Sequence, residues 1–61
     1  MLMTNEKQCY YNIVDDSWWT VDEDGLCWGC GGTPRESIEE AESWGLDCRD
    51  VVIYDKGDYI P

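Results

Sequence analysis

The residues best suited to chemistry gather in one short stretch, GLCWGCGGTPRES, over residues 25–37. It holds a Cys-x-x-Cys pair at Cys27 and Cys30, glycines at 29, 31 and 32, and a helix-start signal at Thr33. With the isolated Cys9 and Cys48 the pair could close a tetrahedral zinc site, a useful staple for a chain of 61 residues. A single knuckle with two scattered partners is a weaker pattern than two knuckles. Free cysteine is also among the most buried residue types, so the leading expectation is no cofactor, with the thiols filling core or strand ends. Zinc on Cys9, Cys27, Cys30 and Cys48 is the alternative.

Other chemistries fit the stretch less well. A thioredoxin-like centre places its first thiol at a helix N-terminus, where the thiolate is stabilised. Here the N-cap is Thr33, well past Cys27, and neighbouring carboxylates would raise a thiol pKa. The glycines follow neither a G-x-G-x-x-G nor a G-K-[ST] pattern, and no lysine stands ready to reach a phosphate. Asp15 with Asp16, and Asp22, Glu23 and Asp24, lack the alternate-residue spacing of a calcium loop. With no histidine, no nucleophile beside a base and little room for a substrate cleft, the sequence predicts a non-enzyme.

The elements that carry these residues follow from local signals. Residues 8–14 (QCYYNIV) and 17–22 (SWWTVD) are rich in β-branched and aromatic side chains and are broken by Asp15-Asp16, which predicts a hairpin. Gly25 suits the next turn, and residues 26–29 form a short third strand. Thr33, Pro34 and Glu36 read as a capping box with proline at the first helical position. The helix should run to about Trp44 and close on Gly45. Its packing face is predicted to be Pro34, Ile38, Ala41 and Trp44, with Glu36, Glu39, Glu40 and Glu42 opposite. Residues 50–54 follow as a fourth strand, apolar on both faces and so expected to be buried. The tail over residues 58–61 is a short edge strand or frays.

This order predicts one small α+β domain over residues 1–61, with residues 1–6 and 59–61 frayed. A three-stranded antiparallel meander carries one helix on one face in a two-layer sandwich. No basic, apolar leader or spanning segment is visible at the start of the sequence, so the expected location is the cytoplasm, where thiols stay reduced.

Charge narrows the function further. Fourteen carboxylates face four cations, Lys7, Arg35, Arg49 and Lys56, for a net charge of -10. Such a surface repels nucleic acid and anionic membranes, so its partner is expected to be a basic protein surface. Duplex DNA carries one charge per about 1.7 Å, and closely spaced carboxylates approach that density. The expected contact residues are Glu36, Glu39, Glu40 and Glu42 of the helix with Asp15, Asp16, Asp22, Glu23 and Asp24 of the turns. The exposed parts of Trp18, Trp19, Trp28 and Trp44 would add anchoring contacts.

Two resemblances are carried by these features. The segment DEDGLCWGCGGTPRESIEEAESWG, residues 22–45, is similar to the part of HicB-type antitoxin domains that runs from an Asp-Gly hairpin to a helix. That resemblance implies a meander whose first strand lies beside the last, and a module that binds a small basic toxin; no catalytic residues transfer. In size, charge and compactness the chain also resembles phage-encoded inhibitors of host defence, notably anti-CRISPR proteins and other DNA mimics. This second resemblance implies occupation of a basic nucleic-acid-binding surface, by a monomer or a dimer, in the host cytoplasm. A zinc-stabilised protein-interaction domain is the remaining alternative.

Overall fold

A computed structural model describes residues 6–57 of the chain. Three strands, β1 (Gln8–Asn12), β2 (Ser17–Val21) and β3 (Cys27–Gly31), are followed by helix α1 (Pro34–Ser43) and a short strand β4 (Val52–Ile53). They form one sheet in the order β3-β2-β1-β4, antiparallel except for the parallel pair of β1 and β4. The α+β meander with its last strand beside its first is therefore present. Predicted fraying of residues 1–5 and 59–61 and the edge strand over residues 58–61 lie outside the described residues. Glu6, placed among the frayed residues by the sequence, accepts a hydrogen bond from the Tyr54 hydroxyl at 3.0 Å.

Local signals account for the helix ends. The Thr33 hydroxyl accepts from the Glu36 N–H at 3.1 Å, and Pro34 occupies the first turn, where its missing donor costs nothing. At the other end Gly45, with φ of +108°, closes a pair of bonds in which Leu46 N–H reaches the Ala41 carbonyl and Gly45 N–H that of Glu42. This is the left-handed termination that glycine makes cheaply.

The register sets the two faces of the sheet. Cys9 opposes Thr20, and Thr20 opposes Gly29, so these three share the face under the helix. Tyr10, Trp19 and Cys30 share the other face. Beneath the helix the core is built from small groups: Cys9, Thr20, Ser37 and Ala41 are all fully buried. The Ser37 hydroxyl donates to the Gly29 carbonyl at 3.1 Å and stands 2.6 Å from the Thr20 hydroxyl, which leaves the latter to donate. Both buried hydroxyls are thereby satisfied.

Glycine at positions 29 and 31 is what permits this close layer. A Cβ at Gly29 would meet the Ser37 carbonyl oxygen at 2.3 Å and the Ala41 nitrogen at 2.6 Å, and one at Gly31 would meet the Glu36 Cβ at 2.7 Å. The helix consequently packs chiefly on β3 and β2.

This placement changes three expectations. Ser37, not Trp44, joins Ala41 at the centre of the buried face, while Trp44, the C-cap residue a turn past Ala41, is 69% exposed. The third strand begins at Cys27 and continues to Gly31, because Asp22 bonds to Leu26 and keeps it in the turn. The fourth strand shrinks from residues 50–54 to two residues and lies at an edge, with Val52 37% and Ile53 55% exposed. A helix drawn toward β3 leaves β4 uncovered.

The described residues span 35 × 26 × 16 Å. At 0.01 M salt the screening length is about 30 Å, so carboxylates across the whole molecule repel one another; at 1 M it is about 3 Å. With fourteen carboxylates against four cations, repulsion outweighs the native ion pairs. The thermal midpoint should therefore rise between 0.01 M and 1 M sodium chloride, as followed by circular dichroism. A fall would mean that ion pairs dominate instead.

Candidate functional site

The nine carboxylates expected to meet a partner separate into groups with different duties. On the helix, Glu36 Oε1 accepts the Gly32 N–H at 3.0 Å and Glu40 Oε1 accepts the Cys30 N–H at 2.8 Å. Glu36 thus reaches one residue beyond the N-cap nitrogen that a capping box would supply. N–H groups alternate in direction along an antiparallel edge strand, and that of Cys30 points away from β2, where Glu40 meets it. Two glutamates one turn apart therefore occupy outward-pointing donors at the β3 edge and at the residue that follows it. That duty was absent from the sequence reading, although the i, i+4 spacing of acceptors beside a glycine-rich strand is a signal for it.

Glu39 and Glu42 take the other flank. They line an open groove of about 580 Å³ between the helix and β4, together with the apolar Pro34, Ile38 and Ile53 and with Arg35. Neither carboxylate makes a hydrogen bond or ion pair among the described residues, and the same holds for the side chains of Asp15 and Asp24.

The turns divide as well. Asp16 accepts a short hydrogen bond from the Tyr11 hydroxyl, which raises the Tyr11 pKa; burial and the charge of Asp16 act in the same direction. The Tyr11 ring packs edge-on to Trp18 at 5.8 Å and lies 4.4 Å from the Lys56 ammonium. Asp22 organises the β2–β3 turn: Oδ2 accepts the Trp28 indole N–H at 2.8 Å, and Oδ1 accepts the backbone N–H groups of Asp24 and Leu26 at 2.9 Å. The Trp28 bond first, then the Leu26 amide, hold its carboxyl below the usual range. Any stability it adds is present above the ordinary carboxylate pKa and is lost as pH falls through the lowered value. Trp28 is the extra residue of a bulge in β3, which turns its indole toward Asp22.

Glu23 lies 4.0 Å from Lys7, whose ammonium also meets the Asp47 carbonyl at 2.8 Å and Asp50 at 3.1 Å. Only 12% of the Lys7 side chain is exposed, so this cation clasps the segment leading into β4. The Asp50 bond raises its pKa. The clasp is intact below lysine's ordinary pKa and opens as pH rises through the raised value. Arg49 grips Asp47 through two parallel bonds, Nε to Oδ1 at 3.0 Å and the terminal nitrogen to Oδ2 at 2.7 Å.

The two turns belong to opposite ends of β2, whose five residues span roughly 16 Å at about 3.3 Å each. Asp15 and Asp16 therefore stand apart from Asp22, Glu23 and Asp24. Glu39 and Glu42 form a third location.

The cysteines do not converge either. Cys9 is buried under the helix, its thiol 3.9 Å from the Pro34 carbonyl, whereas Cys30 is exposed on the opposite face of the sheet. Cys27, also exposed, opposes Val21 across the bulge, and Cys48 sits half-buried with its thiol 3.7 Å from the Leu46 carbonyl. Among the described residues no group of three or more His, Cys, Asp or Glu is placed to hold a metal ion.

Burial raises the Cys9, Cys27 and Cys48 thiols, and carboxylates add to this at Cys27 and Cys48. Brief alkylation with iodoacetamide at pH 8, mapped by mass spectrometry, should modify Cys30 first and Cys9 only on unfolding. Equal labelling of Cys9 and Cys30 in the native protein would contradict the packing described above.

Among the described residues no helix is long and apolar enough to cross a membrane. Comparisons with protein families, with curated proteins and with solved structures return no match to this chain.

Proposed function

We propose that this chain is a non-enzymatic inhibitor that docks its acidic helix flank on a Lys/Arg-lined nucleic-acid-binding surface of a CRISPR-Cas or other nucleic-acid-processing complex. The observation that supports this reading is a net charge of -10 on a folded domain whose Glu39 and Glu42 carboxylates have no hydrogen-bond or ion-pair partner among the described residues. From Glu36 to Glu42 the helix rises about 9 Å at 1.5 Å per residue and bears four carboxylates. That is a mean axial spacing of roughly 3 Å, approaching the spacing of about 1.7 Å per charge in duplex DNA. Glu36 and Glu40 accept backbone N–H groups and add to the acidic field even where they are tied down.

On this reading the partner is a protein, association is steered by charge, and the protein works in the cytoplasm with its thiols reduced. The test is competition: the protein should displace DNA from a purified CRISPR surveillance complex, and the effect should weaken steeply with salt. Failure to compete with nucleic acid in any such complex would remove the reading.

A second reading is favoured by the strand order β3-β2-β1-β4, which places the first strand beside the last as the HicB resemblance implied. In that reading the chain is an antitoxin-like module covering a small basic toxin. Co-purification with a basic ribonuclease encoded by the adjacent gene, unaffected by competing DNA, would favour it over the first.

A further inference from the structure

The two edges of the sheet are treated differently. At β3 the outward Cys30 N–H and the following Gly32 N–H are taken by Glu40 and Glu36. At β4, Val52 N–H donates to the Lys7 carbonyl and Tyr54 N–H to that of Cys9, both at 2.9 Å. Alternation along a strand then turns the N–H and C=O of Ile53 away from β1, toward the open side. Among the described residues no strand lies beyond β4, and an edge with a free donor and acceptor is a template for another strand. The Ile53 side chain, 55% exposed, stands beside the groove floored by Pro34 and Ile38.

We infer that β4 is a strand-addition site for an extended segment of a basic partner, with an apolar residue entering the groove and Lys or Arg residues two positions away reaching Glu39 and Glu42. This inference rests on the proposed binding of a basic protein surface and names how part of that partner is held. Period-two geometry supplies the pattern, since side chains at i and i±2 fall on the same face of the added strand. Charge selects the occupant. A second copy paired through β4 would bring two sets of Glu39 and Glu42 together between bodies that each carry -10, whereas a basic segment meets two carboxylates that, among the described residues, have no partner, beside the single cation Arg35. Main-chain bonds would then provide affinity and the groove and rim specificity.

The probe is a fluorescein-labelled peptide, Lys-Val-Lys-Thr-Ile-Thr-Lys-Val-Lys, compared with two forms N-methylated at the Ile or at both Thr. The methyl groups block one backbone edge each without changing charge. Binding measured by anisotropy should fall at least tenfold for one methylated form and hold for the other, with the Ile53 amide becoming protected from hydrogen exchange. Ile53→Pro, which removes a donor that the β1 ladder does not use and also trims the groove floor at that position, should weaken the unmodified peptide too. Equal binding of all three peptides, lost on reversal of Glu39 and Glu42, would overturn strand addition while leaving the charge-based reading intact. Loss of neither on charge reversal would remove that reading as well. No binding of the unmodified peptide at 1 mM would overturn the inference. So would a dimer in sedimentation equilibrium that Ile53→Pro dissociates, since the occupant would then be a second copy.

Discussion

Gly29→Ala should leave the chain largely unfolded, and it is the single substitution expected to damage the fold most. The added methyl carbon would lie 2.3 Å from the Ser37 carbonyl oxygen and 2.6 Å from the Ala41 nitrogen. Both are main-chain atoms in the middle of α1, so no rotamer change relieves the contact. Reaching an ordinary separation of about 3.4 Å needs the helix to move by roughly 1 Å. That shift strains the Ser37 bond to the Gly29 carbonyl and the Glu40 bond to the Cys30 N–H together. Overpacking in a core typically costs about 1–3 kcal/mol, and a clash against rigid backbone belongs at or above the top of that range. At about 0.05–0.15 kcal/mol per residue, a domain of 61 residues has only about 3–9 kcal/mol in total. Urea titration followed by circular dichroism provides the measurement. Gly25→Ala serves as the comparison: φ is +84° but nothing lies within 4 Å, so its loss is the left-handed backbone term of about 1–2 kcal/mol. Equal effects of the two substitutions would mean that the helix does not rest on β3 as described.

What was legible in the sequence was local, and what was missed depended on where the helix sits. Thr33, Pro34 and Gly45 announce the helix ends because capping chemistry needs only neighbours within a turn. The paired aromatic and β-branched runs gave β1 and β2 for the same reason. By contrast, the run of residues 50–54 reads as a buried strand by composition, yet only Val52 and Ile53 pair, and both are exposed. Its burial was decided elsewhere, by glycines on the helix-facing side of β3 that draw α1 toward that edge. Gly29 and Gly31, two residues apart, already mark one face of a strand as bare. Ending the third strand at Gly29 overlooked that period. The division of the glutamates follows from the same cause: with the helix over β3, residues 36 and 40 face the strand edge, and residues 39 and 42 face the gap left beside β4.

That division makes the two halves of the carboxylate ridge separable by experiment. Glu39→Lys with Glu42→Lys changes the net charge from -10 by two units at each position, to -6, and touches no hydrogen bond among the described residues. Its fold should persist, with a small gain in thermal midpoint from reduced self-repulsion. Its affinity for a basic nucleic-acid-binding surface should fall on the order of 100-fold at low salt, about 1.4 kcal/mol per reversed contact, and the remaining affinity should depend less on salt. Glu36→Lys with Glu40→Lys reaches the same net charge but strips the acceptors from the Gly32 and Cys30 N–H groups, at roughly 0.5–1 kcal/mol each for these exposed bonds. This second pair should lose stability first and, where still folded, lose less binding. Titration of both variants against the same purified complex, beside thermal melts of each, separates location from total charge. Equal loss of binding in two folded variants of equal charge would mean that only the net charge matters. Unchanged binding in the Glu39 and Glu42 variant would rule out the helix flank beside β4 as the contact surface, whatever the partner proves to be.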